Sequence, residues 1–324
     1  MHLAFALPEP AKTGGGGGTH YINSLAPALR ALGHQIDLIT GDQPAFPPGA
    51  VPVIDGMLLP SLHPHLDALV AADSLVLVHH VSAAAGRDEG DRERIRTKER
   101  EMLPRMRRAI ATSQPVAARL QTEFGLGVST VPPGAHDLPR TVPDPDDPVI
   151  LAVGVLTRRK GHDLLLRAAG RLTDLPWRLV IAGDAGREPA HPAQLAALTE
   201  ELGLANRTAL LADPAPDALE RAWSTATVFA LATRWEGYPS AVAEALRRGI
   251  PPVVTDGGDA GALVAAGAGA VCPVDDLATF GKCLRRLLFD RDLRADMAEA
   301  AWQAGQELPS WNQRAQEFLA ILED

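Results

Sequence analysis

Aromatic residues make up only 4% of this 324-residue chain, and just two of them are tyrosines. Its core must therefore be built from closely packed aliphatic side chains rather than from stacked rings. There are two cysteines, Cys272 and Cys283. Two thiols eleven positions apart exclude a disulfide scaffold and lack metal-ligand spacing, so a reducing compartment suits them better. No apolar run approaches the ~20 residues of a membrane span. The N-terminal M-H-L-A-F-A-L-P-E-P has no basic flank and reads as a strand rather than a signal peptide. A cytoplasmic protein is the expectation. The formal charge of −9 offers no general attraction to nucleic acid or to an anionic membrane. Residues 92–108 run against this trend, with eight Arg/Lys against three Glu. A solvated helix face is the ordinary reading; an anionic acceptor or a peripheral membrane contact is the minority one.

What the chain does have is 46% hydrophobic residues, disposed as short apolar runs that alternate with amphipathic segments. Strands are expected at 3–7, 35–40, 51–54, 74–80, 109–113 and 128–131. Between them the pattern predicts helices at 19–32, 62–72, 91–108 and 115–124, the third broken near Pro104. A stretch dense in Pro and Asp, 137–148, reads as an interdomain linker. The alternation then restarts, with strands at 149–153, 178–182, 208–212, 228–233, 252–255 and 270–273. Helices fall at 161–172, 192–202, 216–223, 240–248 and 260–266, and the tail from 275 is helical. Such βα alternation implies parallel sheets covered on both faces. Two doubly wound, Rossmann-like domains are expected, over 1–143 and 144–305, with a final helix within 306–324 that packs back on the first. Ligands of such sheets bind at the carboxyl ends of strands, in loops that lead into helices.

Two such loops carry chemistry. In R-W-E-G-Y-P-S-A-V-A-E-A-L-R-R-G-I-P-P-V-V, from Arg234, a turn at Gly237 and Pro239 opens a helix at Ser240. Glu236 lies before that helix, and Glu244 lies one turn inside it on the face of Ser240. A helix N-terminus suits an anion, and carboxylates accept hydrogen bonds from sugar hydroxyls. The second loop, V-G-V-L-T-R-R-K-G, places Arg158, Arg159 and Lys160 after a strand and before a helix. Lys160 brings three donors and an arginine a fork, both suited to a diphosphate.

These residues resemble glycosyltransferase family 4, retaining enzymes of the GT-B fold. The signature is a pair of glutamates separated by seven residues, within E-G-Y-P-x-x-x-x-E-A-x-x-x-G-x-P-x-V. The resemblance implies a nucleoside-diphosphate sugar as donor, transfer with retention and no essential metal. It implies that Glu236 holds the transferred sugar and Glu244 the ribose, with Gly237, Tyr238, Pro239 and Ser240 lining the donor. Lys160 and an arginine would stabilise the departing diphosphate. The family places that arginine directly after the strand's glycine, where this chain has Val155; Arg159 is the first substitute and Arg158 the second. A glycine loop near Gly16 and Gly17 would face the donor phosphate. One of His79 and His80, at the end of a strand, would touch the donor sugar, with His80 favoured for catalysis. Gly183 would lie beside the nucleoside and Leu211 against the base.

Three other readings compete. A nicotinamide-dependent oxidoreductase requires a clean G-x-G-x-x-G followed by an acid about 20 residues on, which the run at Gly14–Gly18 matches only loosely. A nucleotide-sugar epimerase has a similar two-domain plan. A catalytically silent nucleotide-sugar-binding module would accommodate Val155. The acceptor, whether carbohydrate, lipid-linked or small molecule, has no signature here.

Overall fold

A computed structural model of the chain describes residues 1–8, 17–41, 44–80 and 89–323. They form two compact units, one of Met1–Gly134 with Pro309–Asp324, the other of Ala135–Leu308.

The first unit holds six strands: β1 (His2–Leu7), β2 (Gln35–Thr40), β3 (Val51–Asp55), β4 (Leu75–Val78), β5 (Arg108–Ala111) and β6 (Ser129–Thr130). They form one parallel sheet in the order β2-β1-β3-β4-β5-β6. Helices α1 (Gly17–Ala31), α2 (Leu66–Ala71), α3 (Glu89–Met102) and α4 (Gln114–Phe124) connect them. Central strands read as unbroken apolar runs because both faces are covered, as in β4, where all four residues are buried. The unit's core joins Leu3, Phe5 and Leu25 to Phe318 and Leu322, from the C-terminal helix Trp311–Glu323. The Phe5 and Phe318 rings lie 6.1 Å apart.

The second unit repeats the plan with β7 (Val149–Val153), β8 (Arg178–Gly183), β9 (Thr208–Ala212), β10 (Val228–Leu231), β11 (Pro252–Thr255) and β12 (Ala270–Cys272). Its parallel order is β12-β11-β10-β7-β8-β9. Helices α5 (His162–Ala169), α6 (His191–Glu201), α7 (Pro216–Thr225), α8 (Ser240–Arg247), α9 (Leu277–Phe289) and α10 (Arg291–Glu307) complete it. The Pro/Asp stretch is irregular, turns at 145–147 and is fastened to this unit: Thr141 donates its N–H to the Arg248 carbonyl (2.9 Å), and Arg294 donates to the Pro145 carbonyl (3.2 Å). The Cys272 and Cys283 sulfurs are 3.6 Å apart, both as thiols.

Two expected helices differ, and the expected break near Pro104 is present. Residues 62–72 divide into a 3-10 turn at His63–His65, where Pro64 supplies no N–H, and then α2. Helix α3 stops at Met102 because Pro104 imposes a 3-10 turn, which releases Arg108 to start β5. Residues 260–266 form turns; Gly258 and Gly267, both at positive φ, bracket the segment and Gly261 lies within it, three positions that disfavour a helix. No helix among the described residues is long and apolar enough to cross a membrane.

Candidate active site

In the second unit, β7 begins the chain's path through the sheet, β8 and β9 lie on one side of it, and β10 lies on the other. The carboxyl ends of β7 and β10 therefore flank the point at which the winding direction reverses, where doubly wound sheets bind ligands. The loop after β7 carries Arg158–Lys160 as a 3-10 turn, and the loop after β10 carries Thr233–Pro239.

Two glycines make the loops meet. Gly161 has φ +67°, and a Cβ there would fall 1.8 Å from the Ala232 carbonyl oxygen. Only glycine lets the β7 loop cross the end of β10 so closely. Gly258, with φ +66°, holds the other side: a Cβ would lie 2.2 Å from the Glu236 carbonyl oxygen. The Glu236 N–H donates to the Gly257 carbonyl (3.0 Å), and the Asp259 N–H donates to the Glu236 carbonyl (2.9 Å). The backbone of Glu236 is thereby fixed on both sides.

Its side chain, buried at 5% residue exposure, is the centre of the cluster. Oε1 receives Lys160 Nζ at 2.7 Å, Arg159 NH1 at 3.1 Å and the Thr233 hydroxyl at 2.9 Å. Oε2 has no hydrogen-bond partner among the described residues. Burial pushes the carboxyl's pKa up, but Lys160, Arg159 and Thr233 together outweigh it and hold it below the ordinary glutamate value. Lys160 is lowered, by burial first, with Glu236 opposing and Arg159 and Arg187 adding to the fall. Arg187, on the loop after β8, is a cation that the sequence reading did not name. His162, just behind, is pushed down to about 3 by burial and by Lys160, so it is neutral and adds no charge.

The turn that presents Arg159 and Lys160 is itself held. Arg234 forks onto Asp163 at 3.1 and 3.2 Å and reaches Asp275 at 3.0 Å. It also donates to the Arg158 carbonyl, while its own N–H donates to the Arg159 carbonyl (2.8 Å). The sequence reading gave Arg234 no role; an arginine beside the motif glutamate was the available signal.

Helix α8 starts after Pro239, whose carbonyl accepts the N–H groups of Val242 and Ala243 at 2.9 and 3.1 Å. No side chain caps it, so its N-terminus keeps its positive character for an anion. Tyr238 and Gly237 are half-buried in the preceding turn, and Ser240 is exposed at its tip. Glu244, one turn in, has a side chain 34% exposed, and Arg248 Nε and NH2 donate to its Oε1 at 3.3 and 3.2 Å. Burial raises its pKa, against the opposing pull of Arg248.

Arg158 turns elsewhere. Its guanidinium lies 3.4 Å from Gln194 on α6, beside a groove of about 640 Å³ lined by Arg167, His191 and Glu201. Val155 has no charge to offer. Gly183 ends β8 against the Gly154 carbonyl, one strand from the cluster, and Leu211 lies half-buried on the edge strand β9.

The remaining candidates belong to the first unit. His79 follows β4; its side chain is 8% exposed, its Nε2 lies 3.7 Å from Asp55 Oδ2, and its ring meets Tyr21 edge-on at 5.2 Å. Burial pushes its pKa down to about 4. His80 is half-buried beside it, and its charge acts on Asp55. Gly17 is the first residue of α1, and Gly16 lies outside the described residues.

This constellation has relatives. The family model of glycosyl transferases group 1 matches residues 137–304. The D-inositol 3-phosphate glycosyltransferase of Nocardia farcinica is 28% identical over 215 residues, 60% of this chain and 48% of that protein. Its counterpart from Corynebacterium jeikeium is 30% identical over 217 residues, 56% of this chain and 50% of that protein. The chain thus spans about half the length of the curated relatives it matches. Among solved structures, sucrose-phosphate synthase from Thermosynechococcus elongatus superposes with TM-score 0.81 at 18% identity, covering 99% of this chain and 98% of that one. Anabaena HepE, in complex with UDP and glucose, gives 0.78 at 16% identity, with 99% of each chain covered. These likenesses give the fold as GT-B, and the match over 137–304 covers both loops of the cluster. The chain belongs to the group 1 glycosyltransferases.

Proposed function

We propose that the protein transfers a sugar from a nucleoside-diphosphate sugar to an acceptor hydroxyl, with retention of anomeric configuration. The observation that carries this reading is the buried Lys160–Glu236 pair at the β7/β10 switch point, beside the uncapped N-terminus of α8. The cations and the helix end supply positive charge for a diphosphate, while Oε2 of Glu236, which has no hydrogen-bond partner among the described residues, accepts from a sugar hydroxyl.

In this account the bond from the sugar's anomeric carbon to the β-phosphate oxygen breaks, and the leaving diphosphate gathers negative charge. Lys160 and Arg159 stabilise that charge, a part a divalent cation takes in other nucleotide-sugar enzymes, so the reaction proceeds without an added metal. The acceptor oxygen bonds to the same carbon on the same face, and its proton passes to the departing phosphate oxygen. No side-chain base is required. Glu244 accepts from the ribose. UDP bound in the HepE structure makes UDP-sugars the first donors to test. The relatives' name makes D-inositol 3-phosphate the first acceptor.

The experiment is incubation with a panel of nucleoside-diphosphate sugars, with and without a chelator, followed by detection of released diphosphate. Slow, chelator-insensitive hydrolysis of one donor, lost in Lys160→Met, is expected. Binding without any turnover, with or without acceptor, would leave the silent binding module as the better reading. The family match favours neither the epimerase nor the oxidoreductase.

A further inference from the structure

Arg248 closes α8 four residues after Glu244, on the same face. Its side chain is only 3% exposed. NH1 and NH2 fork onto Glu220 of α7 at 2.8 and 2.7 Å, while Nε and NH2 both reach Oε1 of Glu244. The guanidinium lies 5.4 Å from the centroid of the Trp223 ring, which stacks on Phe229 at 5.5 Å. The backbone is tied as well, since the Arg248 carbonyl accepts from Thr141.

A guanidinium taken this far out of water is costly unless its donors are met, and two carboxylates meet them here. The arrangement is asymmetric in a telling way. Both oxygens of Glu220 are engaged, but of Glu244 only Oε1 is; Oε2 has no hydrogen-bond partner among the described residues. A glutamate left to itself samples several rotamers, and holding it in one removes an ordering cost from ligand binding. We propose that Arg248, braced by Glu220 and Trp223, is a positioning residue that presents Oε2 of Glu244 to the nucleotide ribose. This rests on the reading of Glu244 as the ribose acceptor. Arg248 has a second effect: its charge opposes the burial that raises the Glu244 pKa. A lysine cannot replace it, because one ammonium cannot span two carboxylates as a planar fork does.

The test compares two ligands across four proteins. The tightest binder among UDP, GDP, ADP and CDP is titrated by calorimetry against its 2′,3′-dideoxy analogue, which keeps base and diphosphate but lacks the hydroxyls. The proteins are the unaltered chain, Glu220→Gln, Arg248→Lys and Arg248→Met. The unaltered chain should prefer the ribonucleotide by about tenfold or more, the scale of a hydrogen bond to a charged group. Arg248→Met should bring that preference within about threefold, with Glu220→Gln and Arg248→Lys between. Affinity for the dideoxy analogue should stay within about twofold throughout. Glu220 is half-exposed, so Glu220→Gln tests the brace in a protein that still folds even if Arg248→Met does not. A merely structural role would weaken both ligands together, and that result overturns the proposal, as does a preference unchanged in all three variants. If the unaltered chain shows no preference, the ribose reading of Glu244 fails and the proposal falls with it.

Discussion

Asp55 and Glu236 occupy comparable places in the two units. Asp55 ends β3, which pairs with the unit's first strand, β1; Glu236 follows β10, which pairs with β7. Both are almost out of reach of water, at 2% and 5% exposure. Their protonation nonetheless moves in opposite directions. Burial pushes Asp55 up to about 6, with only the Met57 N–H and the His80 charge opposing it. Glu236 is held below the ordinary value because a lysine and an arginine converge on one of its oxygens. Burial alone tends to neutralise an acid; cations delivered on a neighbouring loop keep it charged. The second unit has thus assembled a place for charge, and the described residues around Asp55 have assembled one in which charge is suppressed.

The largest expected effect comes from removing the main cation. Lys160→Met keeps the stem volume but leaves Glu236, among the described residues, with Arg159 and Thr233. Nucleoside-diphosphate affinity should fall by about 1.5–3 kcal/mol, the scale of a charged hydrogen bond, and turnover should fall further. Calorimetry and a diphosphate-release assay measure the two separately. Unchanged affinity would mean that the cluster does not face the diphosphate.

A second comparison sharpens the first at Asp55, through pH. The Asp55 pKa is raised, so its contribution is fully present below the unfolded value near 4 and is lost as pH rises through about 6. The His79 pKa is lowered to about 4, so its contribution is present above the unfolded value near 6.5 and is lost as pH falls toward 4. Over pH 4–6 the two oppose each other. Asp55→Asn removes the first and leaves the second. Relative to the unaltered protein, its stability should fall on acidification from pH 6.5 to 4 by roughly 2 kcal/mol, from shifts of about two pH units. Denaturant melts across that range give the difference; parallel stability curves would contradict the Asp55–His79 account.

The smallest effect separates the two arginines. Arg159→Ala should cost about 1 kcal/mol of diphosphate affinity, since its side chain is partly exposed and screened. Arg158→Ala, whose guanidinium faces Gln194, should cost almost nothing. The reverse result would reassign the second cation.

Much of this was legible in the sequence. Strands buried on both faces appear as unbroken apolar runs, so the two sheets could be read from β1, β4, β7 and β10 directly. Lys160 and Glu236 could each be placed in a loop at a strand end. Their contact could not, because it depends on sheet order, which makes β7 and β10 neighbours although 74 residues lie between Val153 and Val228. Nor could the choice between Arg158 and Arg159: adjacent residues of a 3-10 turn point in different directions, and Arg234, from the loop after β10, holds that turn by its Arg158 and Arg159 carbonyls. The Glu244–Arg248 pair carried an i,i+4 signal, but its brace, Glu220, comes from a separate helix. The turns at 260–266 were misread as helix because alanine content outweighed the glycines at positive φ.

If the two motif glutamates read different parts of one donor, the binding of bare nucleoside diphosphate must distinguish Glu236→Gln from Glu244→Gln. Glu244→Gln should lose affinity by about 1–2 kcal/mol, because the ribose loses a charged acceptor. Glu236→Gln should bind as tightly as the unaltered protein or more tightly, because Lys160 and Arg159 are released from their carboxylate partner while the missing contact lies on the absent sugar. Equal losses in both variants would contradict the division of sugar and ribose between them.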